Sequence, residues 1–358
     1  MGEIKKKFTS ELFEAILEVE EDQTGLRLDQ FLMDYLASFS RQQIKKKIQI
    51  GQVRIHNRPF PHKPSVKVYE GEKITVSTPR GDLEDEYWRG EKLELDLVPD
   101  IIFEDENLVA ISKPAYMTTH PTGKRLFNCA TVYLETKYNK TIHSIHRLDR
   151  ETSGALLLGK NPKAAQLCGE LFEKEKVQKC YFFMAHKRQE NEFPFVANER
   201  LGQEDDFVPR LYVHCYDEKS TKGKKAKTTF LKVEENEKYL LGLAFPKTGR
   251  QHQIRAHAAH YGLPLIGDKL YSGDPSVFGR FKDGVATEQD HDLMQISRHA
   301  LHAMALVMAY PSENDSLLLE TKIPNDFIPW IEKNFESLSI DGLNLKIDAL
   351  IKDFFKVV

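Results

Sequence analysis

Cysteine is scarce in this sequence: the 358 residues include only Cys129, Cys168, Cys180 and Cys215, and no two are spaced as Cys-x-x-Cys. This spacing indicates neither a zinc knuckle nor a redox pair. Long hydrophobic runs are missing too, since none approaches the roughly 18 residues that a membrane-spanning helix needs. No apolar region follows the lysines at 5–7, which argues against a secretory signal. We expect a protein of the reduced, cytoplasmic compartment without a membrane partner.

An overall excess of positive charge is absent as well, because the formal net charge is −3. The basic residues are nevertheless unevenly placed. Residues 24–80 contain eleven Lys and Arg against four Asp and Glu, a net charge of +7, so the remainder carries −10. Such asymmetry is typical of a chain in which one part contacts a polyanion. A solvated basic face without a partner would give the same pattern.

Residues 24–80 have the pattern of a small domain. A first helix is predicted by apolar residues at helical spacing, namely Leu28, Phe31, Leu32, Tyr35 and Leu36. Ser38 or Ser40 can cap a second helix that ends at Gly51. In this second helix Ile44 and Ile48 face inward, and the predicted exposed positions are Arg41, Lys45, Lys46 and Lys47. Short strands are predicted at 53–55, 66–68 and 74–76.

The order SRQQIKKKIQIGQVRIHNRPFPHKPSVKVYEGEKITV, which begins at Ser40, resembles the S4 RNA-binding domain. The resemblance implies a helix pair on a small sheet, with the basic second helix on RNA. The residues that match and are expected to contact RNA are Arg41, Lys45, Lys46, Lys47 and Arg54. Lys and Arg contacts to phosphate would give an affinity that is independent of sequence and sensitive to salt.

A second informative stretch is IHRLDRETSG, residues 145–154, in which Asp149 lies between Arg147 and Arg150. Guanidinium neighbours favour the ionised carboxyl, so Asp149 is a candidate for carboxylate chemistry at neutral pH. Taken alone, the stretch also fits a turn aspartate that bonds to its own backbone.

The region from residue 101 mixes strands and helices. Strands are predicted at 101–103, 108–111, 181–185 and over much of 207–245, and helices at 162–176, capped by Asn161, and at 251–260. This mixture predicts an α+β fold with a largely antiparallel sheet.

Five segments of this region resemble the RluA-type pseudouridine synthases: SKPAYMTTHPTG, IHRLDRETSGALLLGK, KCYFFMA, KTGRQHQIRAHAAHYGLPLIGDKLY and ALHAMALVMAYP. The resemblance extends from about residue 24 to residue 311 and includes the S4 domain in front. It implies a small S4 domain followed by a mixed, largely antiparallel catalytic domain. The implied activity is the isomerisation of specific uridines in structured RNA to pseudouridine, with ribosomal RNA favoured over transfer RNA.

The resemblance also implies roles for individual residues. Asp149 matches the catalytic aspartate, Tyr181 the tyrosine that stacks on the target base, and Arg255 the basic residue that pairs with the aspartate. Arg147 and Arg150 match positions beside the flipped-out nucleotide. None of these residues is among the departures from the family pattern, which are Tyr116, Phe183 and Tyr310.

The implied reaction detaches uracil from its ribose, turns it and rejoins it through carbon. Because no net redox change occurs, neither a cofactor nor a metal is expected. One ionised carboxylate can act as a nucleophile at the anomeric carbon or as a base on the adjacent carbon. Both routes have been argued for the family.

Other interpretations of the sequence stay open. The chain could be a non-catalytic RNA-binding or ribosome-assembly factor that retains the fold. It could also be a hydrolase of the glycosidic bond, with Glu151 as the nearest second acid. The lysines of 219–227 fit either a solvated loop or an RNA contact. A phosphate-loop reading of 262–269 fails at Asp268, and the histidines fit no zinc pattern.

The predicted organisation has five parts: an N-terminal extension (1–23), an S4-like domain (24–80), a linker (81–100), a catalytic domain (101–335) and a C-terminal extension (336–358). The expected partner is RNA, and the expected oligomeric state is a monomer.

Overall fold

The computed structural model describes residues 5–8, 12–36, 40–79, 84–122, 125–204, 211–312 and 314–356. The strands are β1 (Lys5–Phe8), β2 (Leu12–Glu18), β3 (Val53–Ile55), β4 (Lys73–Pro79), β5 (Tyr87–Trp88), β6 (Glu91–Lys92), β7 (Asp100–Glu104), β8 (Leu108–Lys113), β9 (His143–Ser144), β10 (Ser153–Gly159), β11 (Gln178–His186), β12 (Phe195–Ala197), β13 (Arg200–Gly202), β14 (His214–Tyr216), β15 (Thr228–Glu235), β16 (Tyr239–Pro246), β17 (Leu301–Ala309) and β18 (Ser316–Glu320). The helices are α1 (Leu28–Tyr35), α2 (Arg41–Gln49), α3 (Ala130–Tyr138), α4 (Pro162–Glu173), α5 (Gln253–His260), α6 (Pro275–Lys282), α7 (Glu288–Met294), α8 (Ile328–Asn334) and α9 (Ile340–Phe355). Two compact units result, Met1–Asp85 with His120–Ile142, and Glu86–Thr119 with His143–Val358.

The first unit contains a four-stranded antiparallel sheet in the order β1-β2-β4-β3. The predicted apolar stripe of α1 is confirmed, because Leu28, Phe31 and Leu32 are fully buried. The hydroxyl of Ser40 caps α2, as predicted, whereas Ser38 lies outside the described residues. The unit therefore packs the predicted helix pair and a sheet around one apolar core.

The strand predicted at 66–68 is wrong, because the segment joins no named strand of the sheet. Its backbone pairs with the stretch that leads into α1 instead. The Val68 N–H donates to the Leu26 carbonyl (3.0 Å), and the Leu28 N–H donates to the Val66 carbonyl (2.7 Å). The apolar spacing identified an extended segment correctly but not its partner.

The second unit is built on a sheet in the order β12-β15-β16-β11-β17-β10-β8-β7, with β9 beside β10 and β18 beside β17. The β10–β17 pair is parallel, and the other pairs of this sheet are antiparallel. The predicted α+β fold with a mixed, largely antiparallel sheet is thereby confirmed.

Both faces of this sheet are covered. Side chains alternate along β11, so that Phe182 and Met184 join one core cluster while Phe183 joins the other. Helix α5 packs on the face of Phe183, and α8 and α9 pack on the opposite face. The residues of α9 that enter this core are Leu343, Ile347, Ile351 and Phe355. None of the described helices is long and apolar enough to cross a membrane.

Position 154, in the Thr-Ser-Gly sequence, requires glycine for two structural reasons. Its φ is +106°, and a Cβ atom there would lie 2.3 Å from the carbonyl oxygen of Ala303. Glycine accepts both conditions because it has no Cβ. Ala303 pairs with Gly154 on one side and with Tyr181 on the other, so this close approach aligns the start of β10 with Tyr181 on β11.

Candidate active site

Asp149 lies in the turn that leads into β10. Its carbonyl accepts the N–H of Thr152 (3.1 Å), and on the other side the hydroxyl of Thr119 accepts the N–H of Leu148 (3.2 Å). The backbone is therefore held on both sides of the carboxylate. The side chain of Asp149 is 28% exposed, which leaves it accessible to a ligand.

A buried lysine supports the same turn. The ammonium group of Lys113 donates to the carbonyls of Pro114 (2.8 Å), Met117 (2.7 Å) and Arg150 (3.3 Å). Burial lowers the pKa of Lys113 well below its ordinary value. Because one of its carbonyl partners belongs to the residue after Asp149, Lys113 ties the turn to the end of β8.

Arg255 connects the carboxylates of Asp149 and Asp268. Its Nε and Nη2 atoms donate to the two oxygens of Asp268 (2.6 and 2.8 Å), and Nη1 donates to Oδ2 of Asp149 (3.2 Å). The bidentate pair fixes the plane of the guanidinium group, and Arg255 is itself buried on α5. The cation therefore holds one orientation toward Asp149.

The charge states of both carboxyls follow from this arrangement. Burial alone raises the pKa of the Asp149 carboxyl, but the positive charges of His252, which is protonated only in the acidic range where the carboxyl titrates, and of Arg255 outweigh burial and keep the pKa below its ordinary value. The Arg255 charge likewise overcomes the burial of Asp268 and lowers its pKa to about 2. Asp149 is thus ionised at neutral pH.

His252 is a further member of the site. It precedes α5 with a left-handed φ of +53°, and its Nε2 atom lies 3.9 Å from Oδ2 of Asp149. The Nδ1 atom is 3.2 Å from the hydroxyl of Tyr271. Burial, together with the charge of Arg255, lowers the pKa of His252 to about 4, so the ring is neutral at pH 7.

Tyr181 lines the same cleft as Asp149, His252 and Arg255. A bulge between Cys180 and Tyr181 shifts the register of β11 against β17, and bulges of this kind re-aim side chains next to functional sites. Burial raises the pKa of the Tyr181 phenol above its ordinary value. The cleft thus combines an ionised carboxylate, a fixed cation and an aromatic ring.

Arg147 and Arg150 have different surroundings, although they flank Asp149 in the sequence. Arg147 is exposed and lines the cleft. Arg150 is not among the residues that line the cleft. Its guanidinium group pairs with Glu86 and Glu151 and lies 5.4 Å from the centre of the Tyr116 ring. The match of Arg150 to a nucleotide-binding position stays a prediction that these contacts do not support.

Two further cations border the cleft, Lys179 and Arg250. The ammonium group of Lys179 donates to the carbonyls of Lys247 (3.4 Å) and Thr248 (3.2 Å). Burial lowers the pKa of Lys179 to about 8. With Arg147, these groups make the rim of the cleft positive.

Glu151 is not available as a second acid. Its carboxylate accepts hydrogen bonds from Lys269 Nζ (3.3 and 3.5 Å) and from the backbone N–H of His299 (3.1 Å). Burial would raise the pKa of Glu151, but the charge of Lys269 and the hydrogen bond with His299 hold it well below its ordinary value. A carboxylate in this state cannot protonate a leaving group at neutral pH.

Sequence reasoning missed His252 and Asp268 as members of the site, since it weighed them only as a metal ligand and as the break in a phosphate loop. Asp268 is the only acidic residue in the segment 247–271 that contains Arg255. This was the signal in the sequence that could have identified Asp268 as the partner of Arg255. Among the described residues, no group of His, Cys, Asp and Glu has the geometry of a metal site.

In the first unit, four of the five residues predicted to contact RNA are at least partly exposed. Arg41, Lys46 and Arg54 are exposed, and Lys45 is half-buried. Lys47, predicted to be exposed, is only 9% exposed, and its ammonium group donates to the side-chain oxygens of Gln52 and Thr78 (3.0 and 3.2 Å). The prediction of its exposure is wrong because Lys47 follows Ile44 by three residues and so lies on the inward side of α2.

Comparison with known proteins shows that the chain is similar to members of one enzyme family. The profile of the family described as RNA pseudouridylate synthase matches residues 107–260. The chain is similar to ribosomal large subunit pseudouridine synthase D of Vibrio parahaemolyticus, with 28% identity over 88% of this chain and 92% of that protein. It is also similar to an uncharacterized RNA pseudouridine synthase of Aquifex aeolicus, with 28% identity over 91% of this chain and 98% of that protein.

Solved structures resemble the fold. Human RNA pseudouridylate synthase domain containing 4 aligns with a TM-score of 0.50 at 24% identity, over 65% of this chain and 92% of that one. Human RNA pseudouridylate synthase domain containing 1 aligns with a TM-score of 0.52 at 21% identity, over 66% and 87%. These likenesses concern the fold alone.

Proposed function

We propose that this chain is an RluA-type RNA pseudouridine synthase that isomerises specific uridines of ribosomal RNA with Asp149 as the catalytic carboxylate. The observation that carries the proposal is the contact of 3.2 Å between Asp149 Oδ2 and Arg255 Nη1, in a cleft that Tyr181 also lines. The choice of ribosomal RNA follows the names of relatives such as the Vibrio protein.

The reaction breaks the bond between N1 of uracil and C1′ of ribose and forms a bond between C5 and C1′. The proton on C5 leaves, and N1 gains a proton, so the atoms balance without an oxidant or reductant. Asp149 acts at the sugar as an ionised group. Arg255 keeps it ionised and oriented, because Asp268 prevents the guanidinium group from turning away.

The target uridine must leave its stack, at a cost of a few kcal/mol. Stacking of the freed base on the ring of Tyr181 offsets part of this cost, because such platforms contribute roughly 1–3 kcal/mol per base. Arg147, Lys179 and Arg250 at the rim hold the phosphates on either side of the flipped nucleotide.

The first unit adds sequence-independent affinity in this proposal. We assign residues 24–80 to an S4-like domain that contacts RNA through Arg41, Lys46 and Arg54, which are exposed. Lys45 is half-buried and contributes as a flanking charge. Lys47 supports the fold instead, through Gln52 and Thr78.

Tritium release from RNA that contains 5-tritiated uridine tests the proposed function. A synthase releases the label into water and leaves the RNA chain and its bases in place. A hydrolase would release labelled uracil, and a non-catalytic binding protein would release nothing. Either of these two results would overturn the proposal. The ion pair of Glu151 with Lys269 supports the first outcome, since hydrolysis usually requires a second acid at the leaving group.

A further inference from the structure

We propose that residues 219–227, the lysine loop, form a second RNA-binding surface, which holds the phosphate backbone of the strand that passes over the rim of the cleft at Arg250. The identity of the partner rests on the proposed function. The surface itself is inferred from the charge, anchoring and position of the loop.

The loop carries a high positive charge, and most of it has no carboxylate partner among the described residues. Its five lysines are all exposed: Lys219, Lys222, Lys224, Lys225 and Lys227. Lys222 lies 3.9 Å from the carboxylate of Glu204. Within the described part of the chain, the other four ammonium groups have no carboxylate partner, unlike Lys187, Lys232 and Lys346 of the same unit. Exposed unpaired ammonium groups are the groups that phosphates attract.

The backbone of the loop is held in place. The guanidinium group of Arg200 donates to the carbonyls of Lys222 (3.0 Å) and Gly223 (2.8 Å). Leu201 and Lys224 exchange two backbone hydrogen bonds (2.9 and 2.8 Å). A loop anchored in this way loses little backbone freedom when it binds a polyanion, so less of the electrostatic attraction is offset by ordering.

The loop is also joined directly to the wall of the cleft. Arg250 Nε donates to the carbonyl of Lys225 (3.0 Å). The N–H of Lys227 donates to the hydroxyl of Thr248 (3.1 Å), and Gln253 Nε2 donates to the Lys227 carbonyl (2.9 Å). Arg250, Thr248 and Gln253 all line the cleft. A strand whose nucleotide enters the cleft therefore meets the lysines where the wall of the cleft ends.

The test compares two triple variants of the full-length protein. The loop variant is Lys219→Gln/Lys224→Gln/Lys225→Gln. The control variant is Lys163→Gln/Lys176→Gln/Lys333→Gln, which removes the same charge from exposed positions elsewhere on the second unit. Fluorescence anisotropy measures the affinity of each for unmodified transcripts that tile the large-subunit ribosomal RNA, at a series of salt concentrations.

The loop variant is expected to bind several-fold more weakly, with a salt slope shallower by about 2, because each lost phosphate contact removes roughly 0.7 from the slope on a single strand. The control variant keeps the wild-type slope. Equal slopes for the two variants would overturn the proposal. The readout is binding, so it decides on the lysine loop even if tritium release is absent and the proposed function fails.

Acetylation of the unaltered protein gives a second measurement that needs no variant. RNA is expected to protect Lys219, Lys224 and Lys225 from N-hydroxysuccinimidyl acetate, while Lys163 and Lys176 react equally with and without RNA. Equal reaction of all five lysines with and without RNA would contradict the assignment of the loop.

Discussion

In the cleft, Arg255 is buried and bonded to two carboxylates, whereas four ammonium groups of the lysine loop, among the described residues, have no carboxylate partner and are exposed. The buried cation has one orientation and sets the charge state of Asp149. The four exposed ammonium groups have no carboxylate partner among the described residues, and in our proposal their number is what raises the affinity for RNA. On this proposal the second unit separates the charges that define the chemistry from those that increase affinity for a polyanion.

The largest effect expected from this contrast is that of Arg255→Met. The variant leaves Asp268 buried without its partner, and breaking a buried pair costs about 3–5 kcal/mol of unfolding free energy. Urea unfolding at pH 7 measures the loss. The matched variant Arg250→Met, at an exposed rim position, should change stability by less than about 1 kcal/mol. Similar unfolding midpoints for the two variants would remove the distinction between fixed and exposed cations.

Tyr181→Ala should have the next largest effect, on turnover rather than on charge. Loss of the stacking ring costs roughly 1–3 kcal/mol, which corresponds to a fall of about 5- to 160-fold in kcat/KM. Tyr181→Phe keeps the ring and should retain most of the activity. Tritium-release kinetics measure both variants. A Tyr181→Ala variant as active as the wild type would show that the base stacks elsewhere.

Lys179 is less exposed than the loop lysines but less buried than Arg255. Its titration predicts that RNA affinity depends on pH. Because burial lowers its pKa to about 8, the group is charged at pH 7 and largely neutral at pH 9. RNA phosphate favours the charged form, so binding must take up a proton above pH 8, and affinity should fall as pH rises. The loss between pH 7 and 9 should not exceed about tenfold.

Anisotropy titrations of the wild type and Lys179→Gln at both pH values check this expectation. The substituted protein has no titrating group at the position and should lose less affinity. An equal loss in the two proteins would assign the pH dependence to another group.

The smallest effects are expected in the first unit, where helix α2 carries both an exposed cation, Lys46, and a buried one, Lys47. Lys46→Gln removes one exposed charge and should reduce the salt slope by about 0.7–0.9 without altering stability. Lys47→Met should leave the slope unchanged and alter stability, since its ammonium group bonds to Gln52 and Thr78. If both variants change the slope equally, Lys47 contacts RNA despite its burial.

Local patterns predicted the parts of the molecule that depend on nearby residues. The α1 stripe, the Asn161 cap of α4 and the strand around Tyr181 follow from spacing within a few turns or residues. Lys47 could have been placed by the same reasoning, since residues 44, 47 and 48 share one face of a helix.

Contacts between distant segments could not be predicted in this way. Arg147 and Arg150 both lie within two residues of Asp149 in the sequence, but the turn leaves Arg147 at the cleft and pairs Arg150 with Glu86. The left-handed conformation that brings His252 to Asp149 likewise depends on the packed fold.

Single-turnover pseudouridine formation by Asp149→Asn at saturating RNA tests the catalytic role of Asp149, with Asp100→Asn as a control at an exposed strand position. The substitution keeps the shape of the side chain and removes the charge that Arg255 holds. We expect RNA binding near that of the wild type with no detectable pseudouridine for Asp149→Asn, and full activity for the control. Pseudouridine formation by Asp149→Asn at a rate near that of the wild type would contradict the assignment of Asp149 as the catalytic carboxylate.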